Sequence, residues 1–202
     1  MAGRFITLDG IDGCGKSSVA ERLFRTLEEQ GRDVILTREP TDSWIGEAVK
    51  RSISEDHPAL TEAFLFMADR ATHSVEISEW LKGDKIVICD RYADSTICYQ
   101  AASLASEGFD GDPVEWLKGI SDLYVLSPDL TILLDLDPGV AMERIQQREK
   151  IAKFEKRDFL TIVRENFLRL AEMEDRIKIV DARPPFGTVA EEAERVLRTV
   201  LD

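Results

Sequence analysis

The segment RFITLDGIDGCGKS, residues 4–17, runs from an apolar stretch into glycine, four residues, glycine, lysine and serine, with Gly10, Gly15, Lys16 and Ser17 at the fixed positions. Residues 4–9 read as a strand, and Val19, Leu23 and Leu27 recur at helical spacing over 17–30 until Gly31 stops the helix. Between a strand and a helix this glycine spacing acquires a chemical meaning. Phosphate oxygens need several donors at close range. Glycines let the backbone curl with its N–H groups inward, and the helix that follows adds its positive end. Gly10, Ile11, Asp12, Gly13, Cys14, Gly15, Lys16 and Ser17, with Ser18 behind them, are therefore expected to hold the phosphates of ATP, Lys16 reaching the β and γ groups. The Ser17 hydroxyl is the expected ligand of the nucleotide's magnesium, with Asp90 as its outer-shell partner.

Residues 34–37 form a second strand candidate, closed by Arg38, Glu39 and Pro40; proline lacks a donor, so a loop must follow. Residues 61–81 read as a long helix containing Ala63, Phe64, Phe66, Met67 and Ala71. Gly83 and an apolar strand over 86–89 come next, with Asp90 and Arg91 at its end. Two further pairs follow, a strand over 130–136 with a helix over 138–147, and a strand over 177–180 with a helix over 188–201. Strand and helix alternating in this way predict an α/β P-loop NTPase fold, with about five parallel strands and helices on both faces through right-handed crossovers. The charge-dense stretch 148–157 is expected to be a short lid.

The 202 residues, 44% of them hydrophobic, suffice for one substantial core, so residues 1–202 are expected to form a single domain. A net charge of −13, from 39 acidic against 26 basic residues, argues against nucleic acid as a partner but leaves room for small anions. Neither a basic start with a long apolar run nor eighteen consecutive apolar residues occurs, so a secreted or membrane-spanning protein is not expected. Cys14, Cys89 and Cys98 are an odd number without metal-ligand spacing, which points to the reducing cytoplasm and away from structural zinc. A P-loop alone does not separate a kinase from a GTPase or a motor. Arg38, Arg70 and Arg91 fall near the carboxyl edge of the sheet, where such folds bind ligands, and together suggest a second anion site.

Four motifs, in this order, make the chain resemble the thymidylate kinase family across nearly its whole length: GIDGCGKS, TREP, FMADR and DRYADSTICYQ. LDLDPGVAMER and FEKRDFLTIVRENF add a looser match. The resemblance implies ATP-dependent phosphorylation of dTMP to dTDP with magnesium. Phe66 would stack on thymine, Arg70 would hydrogen-bond the base, and Arg38 and Arg91 would grip the acceptor phosphate with their guanidinium forks. Ser95, Thr96 and Gln100 would supply polar contacts. Asp12 would lie near the sugar 3′-hydroxyl and the phosphate arginines, and Tyr99 would crowd the 2′ position. Asp9, standing where glutamate is usual, would be a further substrate contact, and Cys14 stands where a small residue is usual.

The family keeps its catalytic arginine either in the P-loop or in the lid. Gly13 occupies the loop position here, so Arg148 and Lys153 become the lid candidates, although Lys153 stands where arginine is commoner. Arg144 resembles an arginine that packs on adenine. The family further implies a cis peptide before Pro40 and a homodimer, with apolar positions within 61–81 and 95–104 as interface candidates that core packing would explain equally well. Rival readings are a kinase for another nucleoside or nucleotide, such as dUMP, and a nucleotide-dependent binding switch without phosphoryl transfer.

Overall fold

A computed structural model of the chain describes residues 3–146 and 153–201, with side chains except at 146 and 153–156. Its sheet has five parallel strands in the order β2-β3-β1-β4-β5. They are β1 (Arg4–Asp9), β2 (Val34–Arg38), β3 (Ile86–Asp90), β4 (Leu130–Asp135) and β5 (Ile177–Asp181). In register, Phe5 of β1 lies opposite Val87 and Leu8 opposite Asp90, while Asp9 lies opposite Leu133 of β4. The carboxyl ends of β1 and β3 therefore finish side by side, and the loops after them share one edge.

Side chains alternate across the sheet. Ile6 and Leu8 join Val19 and Leu23 of α1 (Lys16–Glu29), whereas Phe5, Val87 and Cys89 join Ile77 of α3 (Ala59–Lys82). A strand covered on both faces needs apolar groups at nearly every position, which is why β4 reads as an unbroken run. Two polar exceptions are paired: Thr7 and Thr131, both buried, share a 2.7 Å hydrogen bond between their hydroxyls.

The remaining helices are α2 (Trp44–Ser54), α4 (Ala93–Ser106), α5 (Pro113–Ser121), α6 (Pro138–Gln146), α7 (Lys153–Met173) and α8 (Phe186–Leu201). Helices α2 and α5 occupy stretches that the hydrophobic period alone does not mark. Both carry legible starts: Ser43 accepts a 3.1 Å hydrogen bond from the Gly46 N–H, and Asp112 caps α5 ahead of Pro113. Helix α4 is buried along most of its length, with Ile97, Cys98, Ala101, Ala102 and Leu104 in the main core, so residues 95–104 are core and not a free apolar face. Of the expected lid, residues 148–152 lie outside the described residues, and residues 153–157 belong to the start of α7. Glu39–Pro40 is cis, as expected. No described helix is long and apolar enough to cross a membrane.

Candidate active site

The phosphate loop joins β1 to α1. Gly10 has φ 138°, and a Cβ there would lie 2.5 Å from the Leu134 carbonyl oxygen of β4, so only glycine lets the chain leave the sheet on this path. Gly13 has φ 83°, and a Cβ there would meet the Ala141 carbonyl oxygen of α6 at 2.7 Å. Helix α6 thus closes the space a loop arginine would need. Lys16 curls inward, its Nζ donating to the Gly10 and Ile11 carbonyls at 3.0 and 2.9 Å. Burial and then the neighbouring Arg91 hold its pKa below the ordinary lysine value. Ser17 Oγ donates to Asp90 Oδ2 at 2.5 Å, while buried Asp90 Oδ1 has no hydrogen-bond partner.

Beside this loop lies a pocket of about 350 Å3, lined by residues from well-separated parts of the chain, Glu39 and Pro40 after β2 and Phe159 of α7 among them. Phe66 and Arg70 come from α3, Asp12 from the loop, Arg91 from the end of β3, and Ser95, Thr96, Tyr99 and Gln100 from α4. Phe66 and Arg70 are four apart and Ser95, Tyr99 and Gln100 recur at helical spacing, which puts each set on one helix face. Arg91 adopts φ 69°, unusual for a bulky residue; its N–H donates to the Leu8 carbonyl at 3.0 Å. That turn aims its side chain back over the loop. There Nη2 donates to Asp12, Nη1 donates to Ser95 Oγ at 3.1 Å, and the guanidinium lies 5.1 Å from the centre of the Tyr99 ring.

Tyr99 has a task that its sequence position does not announce: its hydroxyl accepts the Asp12 backbone N–H at 2.9 Å, tying the phosphate loop to α4. Its ring sits against Phe159 and Phe167 of α7. Arg70 is fully buried and gives Nη2 to Glu39 Oε2 at 2.6 Å, Thr96 Oγ1 at 2.7 Å and the Tyr92 carbonyl at 3.1 Å, whereas Nε and Nη1 have no hydrogen-bond partner. Gln100 Oε1 is likewise buried without one.

Asp9 and Arg38, expected at the acceptor, lie outside this pocket, and Arg144, expected at adenine, lies on the donor side of the loop. Asp9 is 0% exposed behind the pocket wall, accepting from Ser95 Oγ at 2.5 Å. Burial first and Asp94 second push its carboxyl up to about 6. Arg38 points away from the pocket into a larger cleft of about 600 Å3 that also holds Ser17 and Asp90, and it pairs with Asp42 at 3.1 Å on the surface. Arg144 lies on the far side of the loop, donating to the Ala182 carbonyl at 3.1 Å in a cavity of about 380 Å3 shared with Cys14, Ser18, Arg183 and Phe186. Arg148 and the Lys153 side chain lie outside what the structure describes.

A P-loop at the carboxyl edge of a parallel sheet, beside an arginine-bearing aromatic pocket, defines a phosphotransferase of the P-loop NTPase fold. Residues 8–193 match the thymidylate kinase family. A probable thymidylate kinase of Methanococcoides burtonii is 40% identical, with 100% of both chains covered. One of Methanosarcina mazei is 43% identical over 100% of this chain and 97% of the relative, and one of Halorubrum lacusprofundi 44% identical over 97% and 98%. The chain belongs to the thymidylate kinase family, phosphotransferases that act on dTMP with ATP as donor.

Proposed function

We propose that the chain converts dTMP and ATP to dTDP and ADP, with dTMP in the 350 Å3 pocket and the ATP phosphates on the loop at residues 10–17. The observation that carries this assignment is Arg91, which lines the acceptor pocket while gripping Asp12 of the phosphate loop, so that one guanidinium stands where donor and acceptor phosphates would meet. Thymine would lie against Phe66, its carbonyl edge taking the unused donors of Arg70 and its N3–H the buried Gln100 oxygen. Tyr99 and Asp12 would face the sugar, and Ser95 and Thr96 would complete the wall. Adenine would occupy the cavity of Arg144 and Ser18.

The donor set of Ser17 and Asp90, hard oxygens with one carboxylate atom left over, suits a magnesium ion that keeps waters and takes the rest of its ligands from nucleotide phosphates. Bound there, the ion would neutralise charge on the β and γ phosphates. Lys16 is released from two loop carbonyls when phosphate oxygens arrive and holds charge on the transferring group. Arg91 offsets repulsion between the two phosphorylated substrates. No side-chain nucleophile is required, because the acceptor oxygen attacks in line. Arg148 and Lys153 are the assigned lid cations, and Arg38 joins the acceptor phosphate only on leaving Asp42.

A cytoplasmic setting fits three buried, unpaired thiols. A homodimer fits α3, where Phe64 is 52% and Val75 64% exposed, and sedimentation would detect it. Activity is tested by incubating the protein with ATP, magnesium and a panel of nucleoside monophosphates and resolving the products; dTDP must dominate. ATP hydrolysis without any acceptor product would reject the assignment.

A further inference from the structure

A buried chain of polar contacts links the two cavities, and none of the family motifs explains one of its members. His73 follows Arg70 by three residues on α3, so both point from the same helix face, and their side chains are each 1% exposed. Between them stands Glu39, with one oxygen for each: Oε2 accepts from Arg70 Nη2 at 2.6 Å, and Oε1 lies 3.0 Å from His73 Nδ1. On the other side of the imidazole, Nε2 is 2.8 Å from Thr37 Oγ1 of β2. The ring is further fixed edge-on against Trp80, with centroids 6.2 Å apart. His73 and Thr37 line the cleft of Ser17 and Asp90, while Glu39 and Arg70 line the acceptor pocket.

Chemistry decides what the imidazole does. A carboxylate beside a guanidinium prefers the two-bond fork, in which both oxygens take N–H groups from one face. Here Glu39 makes a single bond to Arg70, and Nε and Nη1 of Arg70 stay buried without partners. Unpaired buried donors are costly unless something else is meant to take them. The group that keeps the second Glu39 oxygen occupied is the Nδ1–H of His73.

Building on the dTMP reading above, we propose that His73 is a positioning residue for the acceptor base: by holding Glu39 Oε1 it prevents the Arg70–Glu39 fork and keeps two Arg70 donors free for a pyrimidine carbonyl. Removing the imidazole lets Glu39 rotate onto Arg70 and close those donors. The base is then recognised less well, while the phosphates, which Arg70 does not touch, are unaffected.

The test uses the intact protein, dTMP binding by calorimetry and steady-state kinetics. Wild-type turnover of dTMP comes first; its failure rejects the functional reading itself, independently of His73. In His73→Leu, KM and the dissociation constant for dTMP should rise about tenfold, with kcat and KM for ATP within about twofold. Asparagine carries an N–H as many bonds from Cβ as Nδ1 does, and glutamine as many as Nε2. His73→Asn should therefore restore dTMP affinity and His73→Gln should not. In a Glu39→Gln background His73→Leu should add nothing, since the effect runs through Glu39. Unchanged dTMP affinity in His73→Leu, or equal behaviour of the Asn and Gln variants, overturns the proposal. If His73→Leu does not fold, the Asn and Gln pair decides alone.

Discussion

The donor and acceptor sides of the site are made of different material. On the donor side, glycines with positive φ shape a backbone cradle that ends on Lys16 and Ser17, with Asp90 meeting Ser17 from the end of β3. The acceptor side is a lattice of charged side chains, buried at Arg70, Glu39 and Asp9 and half-open at Arg91 and Asp12. Arg91 meets Asp12 from 79 positions away, Ser95 meets Asp9 from 86, and Arg70 meets Glu39 from 31. A backbone site tolerates its surroundings and depends on spacing. A side-chain site depends on partners that only the fold assembles, so its residues are coupled and fail together.

The two sides should separate most sharply at Lys16. Lys16→Ala should lower kcat by about 10³-fold or more, since the charge acts on the transferring group, yet leave dTMP binding unchanged. Calorimetry with dTMP alone checks the second half, and a parallel loss of dTMP affinity would merge the two sides. On the acceptor side, Arg91→Lys cannot hold Asp12 and Ser95 together with a phosphate, and kcat/KM for dTMP should fall by about 10²-fold with KM for ATP little changed. An equal rise in KM for ATP would mean that Arg91 serves the loop more than the acceptor.

The lid tests a third element. Because a Cβ at Gly13 would meet the Ala141 carbonyl at 2.7 Å, the loop has no room for its own arginine. Arg148→Ala should then cut kcat by about tenfold or more at nearly constant KM for dTMP, with Lys153→Ala as the control. A single finger gives one large loss, a shared role gives two intermediate ones, and no loss in either moves the cation elsewhere.

The smallest effect concerns Asp9, whose carboxyl is raised from 3.8 to about 6 by burial and then by Asp94. The folded state therefore binds a proton that the unfolded state releases, so this group's contribution to stability falls as pH rises from about 4 to about 6 and is constant above. Its ceiling is on the order of 3 kcal/mol. Asp9→Asn keeps the acceptor for Ser95 and removes the titration. Thermal melts of both proteins from pH 4 to 8 should show the wild type losing ground to the variant across that interval, and parallel curves would contradict the shift.

The same division explains what the sequence let one read. All five strands and the long helix α3 follow from period and punctuation, and Phe66, Arg70, Arg91, Ser95, Thr96, Tyr99 and Gln100 do share one pocket. Helices α2 and α5 carried cap signals at Ser43 and Asp112 that the hydrophobic period alone overlooks. Arg38 faces Asp42 because nothing about a strand-end arginine states which way its long side chain turns. The family resemblance makes Asp9 a substrate contact, but the strand pleat turns its side chain inside the protein. The hydroxyl of Tyr99 on the Asp12 N–H and the imidazole of His73 on Glu39 are contacts across 87 and 34 positions, with no local pattern to mark them.

Phosphoryl transfer from the loop to a deoxythymidine monophosphate held beside it is checked by following ATP and dTMP to products by chromatography, for the wild type and for Lys16→Ala at equal concentration. Equimolar ADP and dTDP are expected from the wild type, and about 10³-fold less of both from the variant. ADP without dTDP, or undiminished dTDP from the variant, would contradict that transfer.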